Sequence, residues 1–228
     1  MCKVDWAEHH EYYWEEHWQT GVLRSQTRRK VNVNRRKFAR KPAIREYRKL
    51  FIIATEGRKT EPSYFGIFNS ENSTVRVTCL KSGHNSSPQQ VLRKMNARLK
   101  KDENRKFPGE SWLVVDRDQW AEEQLSKLCA WAKSGKNRGF ALSNPKFEYW
   151  LLLHFEDGNN IKSAQDCSNR LRRFLPNYDK KVDSHTITPE NIDKAISRAR
   201  KRDNPLVDWP RDLGGTTVYR LVENILKA

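Results

Sequence analysis

Residues Leu50–Pro62 read LFIIATEGRKTEP. Leu50–Thr55 is a short unbroken apolar run, the pattern of a central strand buried on both faces. Gly57 permits a tight turn after it. Glu61-Pro62 then opens a short helix through Phe68, with proline in the first turn, where its missing N–H costs nothing. The same grammar repeats outward. Thr74–Leu80 alternates Val75, Val77 and Cys79 as a strand. Ser87-Pro88 starts a helix carrying Val91, Leu92, Met95 and Leu99. Trp112–Val115 is a second apolar strand, closing at Asp116. Ala121–Lys133 places Leu125, Leu128, Cys129 and Ala132 on one helical face, and Gly139–Leu142 is a further strand. Asn144-Pro145 is expected to cap a helix running to Phe155. Ala164–Phe174, Pro189–Arg202 and Thr216–Leu226 read as helices. Strands alternating with helices predict an α/β fold, with a mostly parallel sheet flanked by helices and a helical C-terminal part.

Upstream of this core the composition changes twice. Residues 1–23 are acidic and aromatic. Trp6, His10, Tyr13, Trp14, His17 and Trp18 recur at helical spacing, with most of the acids off that stripe. This is a docking face for a partner, for the chain's own body or for a second copy in a homo-oligomer, or else an extension from a misplaced start codon. Residues 24–49 are basic, with Glu46 the single acid. Such an arm is either a solvated face or a sequence-independent phosphate binder. The expected organisation is therefore 1–23, 24–49 and a main domain over 50–228.

The whole chain carries 44 Lys+Arg against 28 Asp+Glu, a formal net charge of +16. Self-repulsion of that size calls for a polyanionic partner, and nucleic acid is the simplest. No apolar run approaches the length of a membrane span, so no membrane partner is expected. Cys2, Cys79, Cys129 and Cys167 are scattered, without CxxC spacing. A disulfide framework or zinc site is not indicated, and the cytoplasm is the expected compartment. There is no GxxxxGK[ST] and no GxGxxG, so ATP binding by this chain is not indicated either.

The chemistry should sit beyond the carboxyl ends of the parallel strands. Glu56 directly follows the first strand, and Asp116 and Asp118 follow the WLVV strand. If those strands are neighbours, three carboxylates converge, and they need protons or a hard cation such as Mg2+ or Mn2+ to relieve their repulsion. The alternative is that the aspartates only cap the next helix. Glu148 lies in the apolar stretch Phe147–Phe155 and needs compensation from a metal, Lys146, Lys59 or backbone N–H groups. Arg58 and Lys59, in the loop before the Pro62 helix, are placed to steady a phosphate beside the donors of that helix start. His84 is a weaker general-base candidate.

IIATEGRKTEPSYF, VVDRDQW, SNPKFEYWLLLHFE and the terminal TTVYRLVE, in this order, resemble the RloB/AbiLii family, over roughly Arg45 to the C-terminus. That family is found in restriction-modification and abortive-infection loci, typically beside an AAA-type, OLD-like ATPase. It is thought to be related to Toprim domains, which share a Glu-Gly after the first strand and a DxD after the third. The resemblance implies a Toprim-like core and a Mg2+-dependent nuclease for DNA or RNA in antiphage defence. In it Glu56 is the general acid/base or a metal ligand, Asp116 and Asp118 hold the metal, and Glu148 has a less defined catalytic role. Arg58, Lys59 and Lys146 are the expected substrate contacts. The rival expectation is a non-catalytic nucleic-acid-binding, sensor or adaptor subunit of the same system.

Overall fold

The structure is a computed structural model that describes residues 48–71, 73–81, 87–102, 109–117, 120–183 and 185–228. All of these belong to the unit Arg45–Ala228. The aromatic segment, almost all of the basic arm, His84 and Asp118 lie outside the described residues.

The strands are β1 (Lys49–Thr55), β2 (Val75–Leu80), β3 (Glu110–Asp116), β4 (Arg138–Asn144) and β5 (Gly215–Thr216). The helices are α1 (Thr60–Gly66), α2 (Pro88–Lys101), α3 (Glu122–Lys133), α4 (Phe147–Leu152), α5 (Ala164–Phe174), α6 (Pro189–Arg202) and α7 (Val218–Leu226). The sheet order is β2-β1-β3-β4-β5, with β1 to β4 parallel and β5 antiparallel on β4. The fold is thus a mostly parallel α/β sheet with additional C-terminal helices.

The apolar runs of β1 and β3 are continuous because both faces of the sheet are covered. Phe51, Ile53, Trp112 and Val114 face one layer, with α1, α4 and the C-terminal helices. Ile52, Ala54, Leu113 and Val115 face the other, with α2 and α3. Each of the Val, Leu, Ile and Phe side chains among them contributes about 1.5–3 kcal/mol by its burial. The helix starts follow local rules. Ser87 Oγ accepts from Gln90 N–H at 3.4 Å, Ser163 Oγ from Asp166 N–H at 3.0 Å, and Thr188 Oγ1 from Asn191 N–H at 3.3 Å, each satisfying an otherwise orphaned donor.

One connection positions the site. From β1 the chain passes through α1 to β2 on one side, then through α2 to β3 on the other. The two helices cover opposite faces. Successive connections that leave in opposite directions open a crevice at the carboxyl ends of β1 and β3, the place where open α/β sheets bind ligands.

Three boundaries, at β4, α4 and β5, differ from the sequence expectation. Asn144 does not cap α4: it is the last residue of β4, its amide donates to the Arg211 carbonyl at 2.7 Å, and Lys146 is the N-cap. α4 also ends at Leu152, and the chain reaches Phe155 through tighter turns, with His154 N–H on Leu151 O and Phe155 N–H on Leu152 O. Thr216, expected in the last helix, pairs with Ser143 as part of β5.

Candidate active site

β1 and β3 are in parallel register, Thr55 opposite Val114, so Glu56 and Asp116 leave the sheet side by side. Asp116 N–H donates to Glu56 Oε2 at 3.2 Å, and Trp120 Nε1–H donates to Glu56 Oε1 at 3.2 Å. The next strand, β4, runs out through Asn144 into α4, and the Phe147 N–H donates to the Asp116 carboxylate. Glu56, Asp116 and Glu148 therefore line one cleft of about 630 Å³, together with Arg58, Lys59 and Lys146. All the described residues of the expected site are brought together there.

A fourth carboxylate was not anticipated. Glu61, in the first turn of α1, is only 3% exposed. Its Oε1 accepts from Gly57 N–H at 2.8 Å, and it also accepts from its own N–H. A Cβ on Gly57 would lie 2.1 Å from Glu61 Oε2 and would push that carboxylate aside, so glycine here makes room for the Glu61 contact rather than for an unusual turn. The arrangement also revises the expected role of the loop. Its Gly57 and Glu61 donors serve an internal carboxylate, not an external phosphate.

The electrostatics follow from this crowding. Burial, then the charges of Glu61, Glu56 and Glu148, raise the Asp116 carboxyl well above its ordinary range. Its Oδ1 is buried and has no hydrogen-bond partner among the described residues. Burial likewise raises Glu61, opposed by its two backbone donors; Glu148 adds to the rise and Lys180 offsets part of it. An unpaired buried carboxylate oxygen among like charges has the character of a position meant for a proton or a cation.

Neither of the two lysines expected beside Glu148 pairs with it. Lys146 Nζ reaches Ser168 Oγ at 2.5 Å, and exposed Lys59 lies 3.9 Å from Asp179. The partner of Glu148 is instead the Tyr178 hydroxyl, which donates to Oε1 at 3.3 Å and lies 3.1 Å from Thr60 Oγ1. Tyr178, Asp179 and Lys180 belong to the α5–α6 connection, which is fastened to α1 where Ser63 Oγ donates to Val182 O and accepts from Val182 N–H, both at 3.0 Å. Asp179 and Lys180 line the cleft.

Beneath the cleft, α1 is tied to α4. His154 Nδ1 lies 3.0 Å from the Trp150 carbonyl and therefore carries the proton, leaving Nε2, at 3.2 Å, to accept from the Tyr64 hydroxyl. Burial lowers the His154 pKa to about 4, so the ring is a neutral structural link. The terminal Thr-Thr pair does the same for β4. Thr217 Oγ1 accepts from Leu142 N–H at 3.0 Å, Thr217 N–H donates to Leu142 O at 2.9 Å, and Thr216 and Ser143 hydroxyls meet at 2.8 Å.

Among the described residues, no three His, Cys, Asp or Glu side chains form a ready metal-binding group; Asp118 is outside them. The donor set nevertheless fits a hard divalent cation in its chemistry, being all carboxylate oxygen with one buried oxygen unpaired. Cys79, Cys129 and Cys167 are free thiols. No helix among the described residues is long and apolar enough to cross a membrane.

A family model described as RloB-like protein matches residues 51–225. The chain belongs to the RloB-like family. The match spans most of the chain, from β1 to α7, and contains every cleft residue named above. This membership associates the RloB-like chain with restriction and defence loci. No curated protein matches it, and no solved structure does.

Proposed function

We propose that this RloB-like protein is a Mg2+- or Mn2+-dependent nuclease of an antiphage system, with a Toprim-like catalytic core and an ATPase partner. The observation that carries the reading is the buried Asp116 Oδ1, without a hydrogen-bond partner among the described residues, beside the Glu56, Glu61 and Glu148 carboxylates at the β1/β3 crevice. Glu56 and Asp116, with Asp118, would hold the cation, and bound Mg2+ or Mn2+ supplies a Lewis acid for a phosphoryl oxygen. Arg58, Lys59 and Lys146 place positive charge on the cleft wall, where phosphate oxygens approach. Hydrolysis joins a water oxygen to phosphorus and breaks one P–O ester bond; the water proton passes to a carboxylate, and the leaving alkoxide takes a proton from solvent water. Glu56, oriented by Asp116 N–H and Trp120 Nε1–H, is the base in this reading. The +16 charge favours a nucleic acid as the phosphodiester.

A second reading is a non-catalytic nucleic-acid-binding, sensor or adaptor subunit. It is favoured by the lack of a grouped metal-binding set among the described residues. Incubation with mixed DNA and RNA, with and without Mg2+ or Mn2+ and the ATPase, separates the two. Cation-dependent cleavage abolished by chelator supports the nuclease. Nucleic-acid binding without cleavage under every condition supports the subunit.

A further inference from the structure

The α5–α6 connection places Tyr178, outside the motifs quoted above, against two residues of the cleft lining, Thr60 and Glu148. Tyr178 Oη touches Thr60 Oγ1 of α1 at 3.1 Å and Glu148 Oε1 of α4 at 3.3 Å. The direction of these bonds is determined. A carboxylate only accepts, so the single phenolic proton goes to Glu148, and the Thr60 hydroxyl must donate to Tyr178. Burial and the Glu148 charge raise the Tyr178 pKa, keeping that proton in place. Among the described residues Glu148 makes no ion pair, and Tyr178 is its hydrogen-bond partner. The backbone of the connection is fixed independently, by the two Ser63–Val182 contacts.

We propose that Tyr178 is a positioning residue of the active site, orienting the Glu148 carboxylate toward the cleft cation through a Thr60–Tyr178–Glu148 chain of hydrogen bonds. This rests on the proposed cation-dependent reading of the cleft. A half-buried glutamate held by one hydrogen bond loses its fixed rotamer when that bond is removed, and small misplacements at a reacting centre are costly.

The test is a double-mutant cycle of Tyr178→Phe and Glu148→Ala, read in two ways: steady-state cleavage, and Mn2+ affinity from the free-ion paramagnetic signal. Tyr178→Phe keeps the ring and removes only the hydroxyl. It is expected to lower kcat about 10- to 100-fold with KM changed less than about threefold, and to weaken Mn2+ binding. Neither effect should persist in the Glu148→Ala background. If wild type binds Mn2+ but cleaves nothing, the nuclease reading fails, and the Mn2+ cycle still decides on Tyr178. Equal effects of Tyr178→Phe in both backgrounds, no effect in either, or no Mn2+ binding by wild type would overturn the proposal.

Discussion

Asp116 N–H donates to Glu56 Oε2 at 3.2 Å across the seam between β1 and β3. The bond joins residues 60 positions apart in sequence and puts two carboxylates at the switch point of the sheet. Parallel pairing makes it unavoidable: once Thr55 is opposite Val114, the residues that leave both strands share one edge. The sheet therefore holds like charges together, and the rest of the cleft manages the consequences.

The first consequence is a pH dependence. Asp116 and Glu61 are both raised, first by burial and also by neighbouring carboxylate charges, against the backbone hydrogen bonds that lower them. The folded state thus binds protons more tightly than the unfolded chain. The stability these groups confer is complete below the ordinary carboxylate range, about pH 4, and is lost as pH rises through their folded values. In chelator, denaturation midpoints should fall on this account from about pH 4 toward neutrality. Asp116→Asn and Glu61→Gln should flatten the fall and be neutral or mildly stabilising at neutral pH. A loss of several kcal/mol in these variants would mean that the carboxylates belong to a structural ion-pair network.

Gly57 depends on Glu61. Its missing Cβ leaves the space that the Glu61 carboxylate fills. Gly57→Ala should destabilise by about 1–3 kcal/mol in chemical denaturation. In a Glu61→Ala background the same change should cost little, because the clash is with that side chain.

The elements of the fold were legible where local chemistry and tertiary burial agree. β1 and β3 are apolar on both faces, and Pro88 and Pro189 mark helix starts with Ser87 and Thr188 as caps. Glu56 and Asp116 were legible from their place after such strands. Glu61 was not. In sequence it is an ordinary acidic residue beside a proline, and its burial arises only when the loop folds over it. Tyr178 was less accessible still: its contact with Thr60 spans 118 positions and no periodicity signals it. The helix expected after Asn144 is too long because Phe147–Phe155 is apolar apart from Glu148 and His154, whereas pairing with Ser111–Asp116 claims Arg138–Ser143 for the sheet, and β4 runs on through Asn144.

The C-terminal Thr-Thr pair should be structural. Thr217→Val keeps the shape but removes the acceptor of the buried Leu142 N–H. The expected cost is about 1–3 kcal/mol in global stability, with cation affinity unchanged in the folded protein. Calorimetry alongside Mn2+ titration checks both.

The basic arm should add affinity without selectivity. Removing residues 1–44 takes away most of the basic run between Arg24 and Lys49. Binding to DNA and RNA should weaken, and the slope of log affinity against log salt should become shallower, while the core keeps its denaturation midpoint. An unchanged slope would assign nucleic-acid contact to the core alone.

Asp116→Asn and Glu56→Gln, assayed for Mg2+- or Mn2+-dependent cleavage beside wild type and in the presence of the ATPase, decide whether this cleft is catalytic. Wild type should cleave, and each variant should lose activity by at least about 10²–10³-fold with its denaturation midpoint preserved. Undiminished cleavage by folded Asp116→Asn protein would show that the chemistry lies elsewhere.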